Sequence, residues 1–207
     1  TDIFKYMKEN FGCESVDCWH EYDQIFKEEY PIAIKPRSNW TKSDQRISDV
    51  DIDTVMKQYE YFNPEFKYLG YREHTETDTN LLKSLYDTTE FDIRMILVSM
   101  FEKHWTSIII QDGNIYYFDS LCDRNNLYAI TEMIEMIRRT LVSDRCIFTY
   151  NNIPVQKDTE SCGIFVIHLM YTILQNKDVN LGFNKILSEN YDQDKIEYYR
   201  KKYFITQ

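Results

Sequence analysis

The sequence has no apolar stretch able to cross a bilayer: runs such as Ile164 to Met170 fall far short of the roughly 20 residues that a spanning helix needs. Its opening, TDIFKYMKEN, also lacks the apolar core of a secretion signal, so an intracellular protein is expected. Positive charge is in deficit, with 24 Lys and Arg against 34 Asp and Glu and a net charge of -10. That balance opposes the broad attraction to phosphate that nucleic-acid binding requires, and no nucleic-acid or membrane partner is expected. A disulfide framework is missing too. The five cysteines are odd in number and scattered at 13, 18, 122, 146 and 162, in a chain large enough to bury its own core without staples. Reduced thiols are expected, and with no secretion the sequon Asn39-Trp40-Thr41 stays idle. Repeats, low-complexity tracts and linkers rich in Pro, Gly or Ser are absent as well, which leaves one compact unit.

What is present is 43% apolar and 15% aromatic, enough for a full core. Residues 1–50 mix charge, aromatics and the Pro-punctuated PIAIKPRSNW and read as an accessory region. The main domain is set at 51–207. Asp51, Val55, Met56, Tyr59 and Phe62 predict a capped helix that stops before Pro64, and Leu81, Leu82 and Leu85 a shorter one. Ile93 to Met100, Trp105 to Ile110 and Ile115 to Phe118 are β-branched and aromatic runs, the last two joined by the turn signal Asp112-Gly113. Asn125 to Leu141 carries one apolar stripe and predicts a single amphipathic helix; Cys146 to Tyr150 predicts another strand. Gly163 to Leu174 is apolar nearly all round, as a buried central helix is. The fold class is α+β, a sheet against a core helix with other helices outside.

Chemistry concentrates where QKDTESCGIF passes from polar loop to apolar helix. A cysteine at a helix N-terminus has its thiolate stabilised by the helix dipole and by unpaired N–H groups. Cys162 is therefore a candidate nucleophile, the alternative being a small buried hydrophobe. His104, at the start of the strand WTSIII, is the candidate base. If the Asp112-Gly113 hairpin forms, paired residue numbers sum to about 225, and 104 and 119 sum to 223. Asp119 then lies near the same open end and can orient the imidazole. Gln156, six residues before Cys162, can donate to the oxygen that becomes negative in a tetrahedral intermediate, together with the Cys162 N–H. Gly163 suits close passage of backbone beside substrate or, equally, tight helix packing.

His-Trp, then Tyr-Phe-Asp-Ser-Leu, then Gln followed six residues on by Cys-Gly-Ile-Phe-Val resembles the adenain-like and ubiquitin-like-protein-specific cysteine proteases over roughly residues 93–175. The resemblance implies a papain-like-variant fold with a mixed central sheet packed on the helix that carries the nucleophile. It implies His104 as general base, Asp119 as its orienting acid, Gln156 as the oxyanion side chain and Cys162 as nucleophile, with no cofactor. Trp105 would line a narrow substrate cleft. FGCESVDCWHEYDQIF, KPRSNW and DIDTVMKQYEYFNPEFKYLG are similar to the region preceding the core in maturation proteases of large DNA viruses. That implies cleavage of structural polyproteins at Gly-Gly-type sites, in host cytoplasm or virion. An aspartate at 119 departs from viral members that use Asn or Glu and resembles cellular enzymes, so a ubiquitin- or SUMO-like isopeptidase is the alternative. A catalytically dead binding module is the third reading, opposed by the intact quartet.

Three other signals read as structural. Cys13-x4-Cys18 with His20 has no second pair at zinc-like spacing, so no metal site is expected. His168 lies about 120° round the helix from Cys162 and reads as a satisfied core histidine. The tail SENYDQDKIEYYRKKYF reads as a solvated helix with an aromatic docking face.

Overall fold

The structure, a computed structural model, describes residues 8–14, 18, 46–101, 104–141 and 146–203. His20, the sequon at 39–41 and PIAIKPRSNW lie outside the described residues. The first main helix, α1 (Asp49–Phe62), begins earlier than Asp51 because Ser48 is its cap. Ser48 Oγ accepts the Asp51 N–H at 3.2 Å, and the Asp51 carboxylate accepts the Ser48 N–H at 3.1 Å. Reciprocal bonds of this kind satisfy two of the donors a helix start leaves orphaned.

Strand β1 (Phe66–Glu73) follows, then α2 (Thr79–Tyr86), β2 (Ile93–Met100), β3 (His104–Gln111) and β4 (Asn114–Phe118). The chain continues through α3 (Arg124–Ala129), α4 (Thr131–Thr140) and β5 (Phe148–Tyr150) to α5 (Cys162–Asn176), α6 (Val179–Ser188) and α7 (Gln193–Tyr203). The five strands form one sheet in the order β1-β2-β3-β4-β5. β1 is parallel to β2 and β5 parallel to β4, while β2-β3 and β3-β4 are antiparallel. Asp112 and Gly113 both take positive φ, 52° and 74°, which is the type I′ turn that matches strand twist. The pairs Ser107↔Phe118 and Ile110↔Ile115 therefore keep the predicted register.

β2 is buried along its whole length, and its side chains alternate between two cores. Met95 and Leu97 join Ile109, Tyr116 and the α5 residues on one face. Ile96 and Val98 join Ile108, Ile110, Ile115, Leu81 of α2 and Met133 of α4 on the other. Each such side chain withdraws from water at a gain of about 1.5–3 kcal/mol, so α5 is held as an interior helix. α6 closes on it where Gly182 meets Ile173, a place with no room for a Cβ.

Three expectations are corrected, and one strand lies where none is predicted. The helix over 125–141 is two, because Ile130 both ends α3 and begins α4; its apolar spacing runs through the break. The tail helix is docked rather than solvated, with Ile196, Tyr199 and Tyr203 in the core that α5 shares. Its Arg200 is 1% exposed. Cys13 and Cys18 are joined in a disulfide, their Cα atoms 5.5 Å apart, a span that suits the bridge; reduced thiols describe only Cys122, Cys146 and Cys162 among the described residues. The strand β1 was not anticipated, since Gly70, at φ 85°, and a register shift between Tyr68 and Tyr71 interrupt its alternation. No helix among the described residues is long and apolar enough to cross a membrane.

Candidate active site

Cys162 is the first residue of α5 and is buried. His104 opens β3, and Asp119 follows the last residue of β4. The hairpin register brings His104 Nε2 to 2.6 Å from Asp119 Oδ1. The Cys162 side chain lies close enough to the His104 ring to help raise its pKa. Since Nε2 is engaged by the carboxylate, Nδ1 is the ring atom left for sulfur.

The Asp119 carboxylate is held from every side. Oδ1 also accepts the Leu121 N–H at 2.9 Å, and Oδ2 accepts the Asp123 N–H at 3.1 Å and Asn126 Nδ2 at 2.8 Å. Its backbone is gripped by Asn151, whose Oδ1 accepts the Asp119 N–H and whose Nδ2 donates to the Asp119 carbonyl. Burial would raise the Asp119 pKa, but the hydrogen bonds from His104 and Asn126 and the charge of the ring bring it below the usual value. For His104, burial pulls downward and is outweighed by the bonds to Asp119 and Cys162 and by their charges, which raise its pKa to about 9. These partners favour the imidazolium over the neutral ring. Cys122 and Cys146, the other free thiols, are pushed up, first by burial, and Cys122 donates to the Asn151 carbonyl at 3.3 Å.

Gln156 is buried beside these groups. Its Oε1 accepts Ser120 Oγ at 2.6 Å and its Nε2 donates to the Asp158 carbonyl at 2.8 Å. Trp105 packs edge-on against Tyr71, 5.6 Å between ring centroids, and its Nε1 donates to the Ile47 carbonyl at 2.8 Å. Gly163 realises tight packing: a Cβ there would lie 3.1 Å from Ile47 Cβ and 3.4 Å from Trp105 Cδ1. Arg46 closes an ion pair with Glu160 at 2.6 Å. Two residues placed by sequence in the accessory region, Arg46 and Ile47, therefore lie against the site.

The structure brings His104, Asp119 and Cys162 together, with Gln156 and Trp105 at the flanks. His168 stands apart, its Nδ1 2.8 Å from Tyr203 Oη. Sequence reasoning missed Asn126 and Asn151, which carry no local pattern. It also missed Asp158, although an aspartate three residues before a helix-start serine is a readable capping signal.

A mixed five-stranded sheet packed on a buried helix that opens on a cysteine, with a histidine paired to an aspartate at the end of the central hairpin, is the architecture of a cysteine protease. The Ulp1 protease family, C-terminal catalytic domain, matches residues 36–206, and the chain belongs to that family. A protein of Acanthamoeba polyphaga mimivirus named as a thiol protease is 25% identical over 185 residues, covering 81% of this chain. The chain spans 59% of the length of that relative. Among solved structures, the African swine fever virus protease matches with a TM-score of 0.60 at 15% identity, over 99% of this chain and 88% of that one. The yeast Ulp1 protease domain in complex with Smt3 matches with a TM-score of 0.55 at 15% identity, over 78% of this chain and 75% of that one. XopD, an effector of Xanthomonas campestris bound to ubiquitin, matches with a TM-score of 0.54 at 14% identity, over 79% and 94%. At these identities the likeness is one of fold.

Proposed function

We propose that the protein is a cysteine endopeptidase that works through Cys162, His104, Asp119 and Gln156. The observation that carries the reading is the His104 ring held at 2.6 Å by the Asp119 carboxylate, with Cys162 at the start of α5 near enough to bear on the charge of the ring. In this scheme Cys162 Sγ, as thiolate, attacks the carbonyl carbon of the scissile bond. The carbonyl electron pair moves onto oxygen, which meets the Cys162 backbone N–H and Gln156 Nε2. Gln156 Nε2 is held by the Asp158 carbonyl at 2.8 Å, and its second N–H, in a long contact of 3.3 Å with Asp158 Oδ1, is the one available to the oxyanion. Collapse expels the amine, which takes the proton from His104. Water then attacks the thioester, giving its proton to His104 and releasing the acid and the thiolate. Asp119 holds Nε2 protonated and the ring in plane throughout.

Trp105 lines the cleft that receives the residues before the scissile bond. An indole wall admits glycine and rejects larger side chains by overlap, which is specificity by exclusion. The substrates that follow are structural polyproteins with Gly-Gly-type sites, cleaved during virion maturation. The mimivirus relative and the fold shared with the African swine fever virus protease support the viral reading. The isopeptidase alternative draws on Ulp1 with Smt3 and XopD with ubiquitin.

Profiling of new protein N-termini, wild type against Cys162→Ala, tests the proposal. Products with glycines before the cut, absent with the variant, are expected. Cleavage that persists with a folded Cys162→Ala protein contradicts it. A panel of ubiquitin and SUMO fluorogenic substrates against a Gly-Gly-X peptide separates the two substrate classes.

A further inference from the structure

A buried polar chain beside Gln156 takes no part in the scheme above. It begins at Arg200 of α7, whose Nη2 donates to Ser161 Oγ at 3.1 Å. Ser161, fully buried, donates its own hydroxyl to Asp158 Oδ2 at 2.7 Å. The other carboxylate oxygen of Asp158 accepts the Glu160 and Ser161 N–H groups, each at 2.8 Å. These amides immediately precede Cys162. Gln156 Nε2 lies on the same residue, at 2.8 Å from the Asp158 carbonyl and 3.3 Å from Oδ1, while Ser120 holds the other end of the amide.

A guanidinium withdrawn from water needs a countercharge, because desolvation costs several kcal/mol per ion. Through the Ser161 hydroxyl, Arg200 is linked to the Asp158 carboxylate. The guanidinium thereby fixes Ser161, Ser161 fixes the carboxylate, and the carboxylate fixes the turn into α5, whose Asp158 carbonyl holds the nitrogen end of Gln156. A glutamine has several rotatable bonds, and it stabilises a developing oxyanion only when aimed beforehand.

Building on the reading of Cys162 and Gln156 above, we infer that Asp158, Ser161 and Arg200 form a positioning relay that aims the Gln156 amide at the oxyanion. They are positioning residues, acting through Gln156 and not on the substrate. A relay of this kind leaves a signature that simple core filling does not. Its loss slows reactions that pass through an oxyanion and spares those that do not.

Two small reagents separate these cases without knowledge of the natural substrate. p-Nitrophenyl acetate acylates a thiol through a tetrahedral oxyanion; iodoacetamide alkylates it by direct displacement, with iodide leaving and no oxyanion formed. Both are followed at Cys162 by mass spectrometry, on variants whose folding is verified by thermal melting. Ser161→Ala is expected to slow acylation about tenfold and leave alkylation at the wild-type rate. In a Gln156→Ala background the same substitution should change acylation by less than about twofold, because the effect has lost its route. Asp158→Asn, which keeps side-chain volume, is the second variant and should behave alike. Unchanged acylation in both variants, losses that multiply in the Gln156→Ala background, or alkylation slowed in parallel would each overturn the relay. If wild-type Cys162 reacts with neither reagent faster than Cys122 or Cys146, the underlying nucleophile reading falls and the relay with it. If it reacts with both and the variants match it, the relay alone falls.

Discussion

Two histidines, both removed from water, are driven in opposite directions. His104 at the start of the central strand is raised to about 9; His168 inside α5 is lowered to about 3, by burial first and then by the positive charges of Lys202, Lys195 and Lys185. Burial alone disfavours the charged ring at both places. The difference lies in the partners. His104 has a carboxylate at 2.6 Å, whereas His168 has the phenol of Tyr203 and the ring of Tyr199, whose centroid is 3.8 Å away. One region is built to keep a proton, the other to keep one out.

The largest effects should come from removing that asymmetry at its source. His104→Ala and Asp119→Ala are each expected to cut peptide cleavage by about 10³- to 10⁴-fold, as loss of a base or of its orienting acid does elsewhere, measured as kcat/KM on a Gly-Gly peptide. Gln156→Ala follows, with about 3 kcal/mol lost from the barrier, or roughly a hundredfold or more in kcat. His168→Phe should leave kcat close to wild type, which separates the second histidine from the first.

Stability against pH sharpens the comparison. The raised pKa of His104 makes a stabilising contribution present in full below pH 6.5 and lost as pH climbs through about 9. The lowered pKa of His168 works in the opposite sense, present above pH 6.5 and lost as pH falls toward 3. Urea midpoints should therefore decline on the alkaline side less steeply in His104→Ala, and on the acid side less steeply in His168→Phe. The smallest effect belongs to Tyr203→Phe, about 0.5–1.5 kcal/mol of stability for one hydrogen bond.

The same contrast shows what the sequence could disclose. His104 and Asp119 were legible because a two-residue Asp-Gly turn sets pairing by arithmetic, and the observed register agrees. Cys162 was legible because polar loop turns abruptly into apolar helix. Asn126 and Asn151, which hold the acid, reach it from a separate helix and from beyond β5, contacts that no local period encodes. Arg200 misled for a related reason: YYRKKY reads as a charged surface, and only the packing of α7 on α5 shows that one of its cations points inward. β1 escaped because a glycine and charged residues hide a strand whose partner lies beyond a helix.

The central claim is that the His104 imidazolium activates the Cys162 sulfur. Its most direct test is the rate of Cys162 alkylation by iodoacetamide between pH 5 and 10, in the wild type and in His104→Ala. The wild type should react already at pH 6 to 7, and the variant only as pH approaches the range of an unassisted thiol, about 8.5. Superimposable profiles for the two proteins would contradict it.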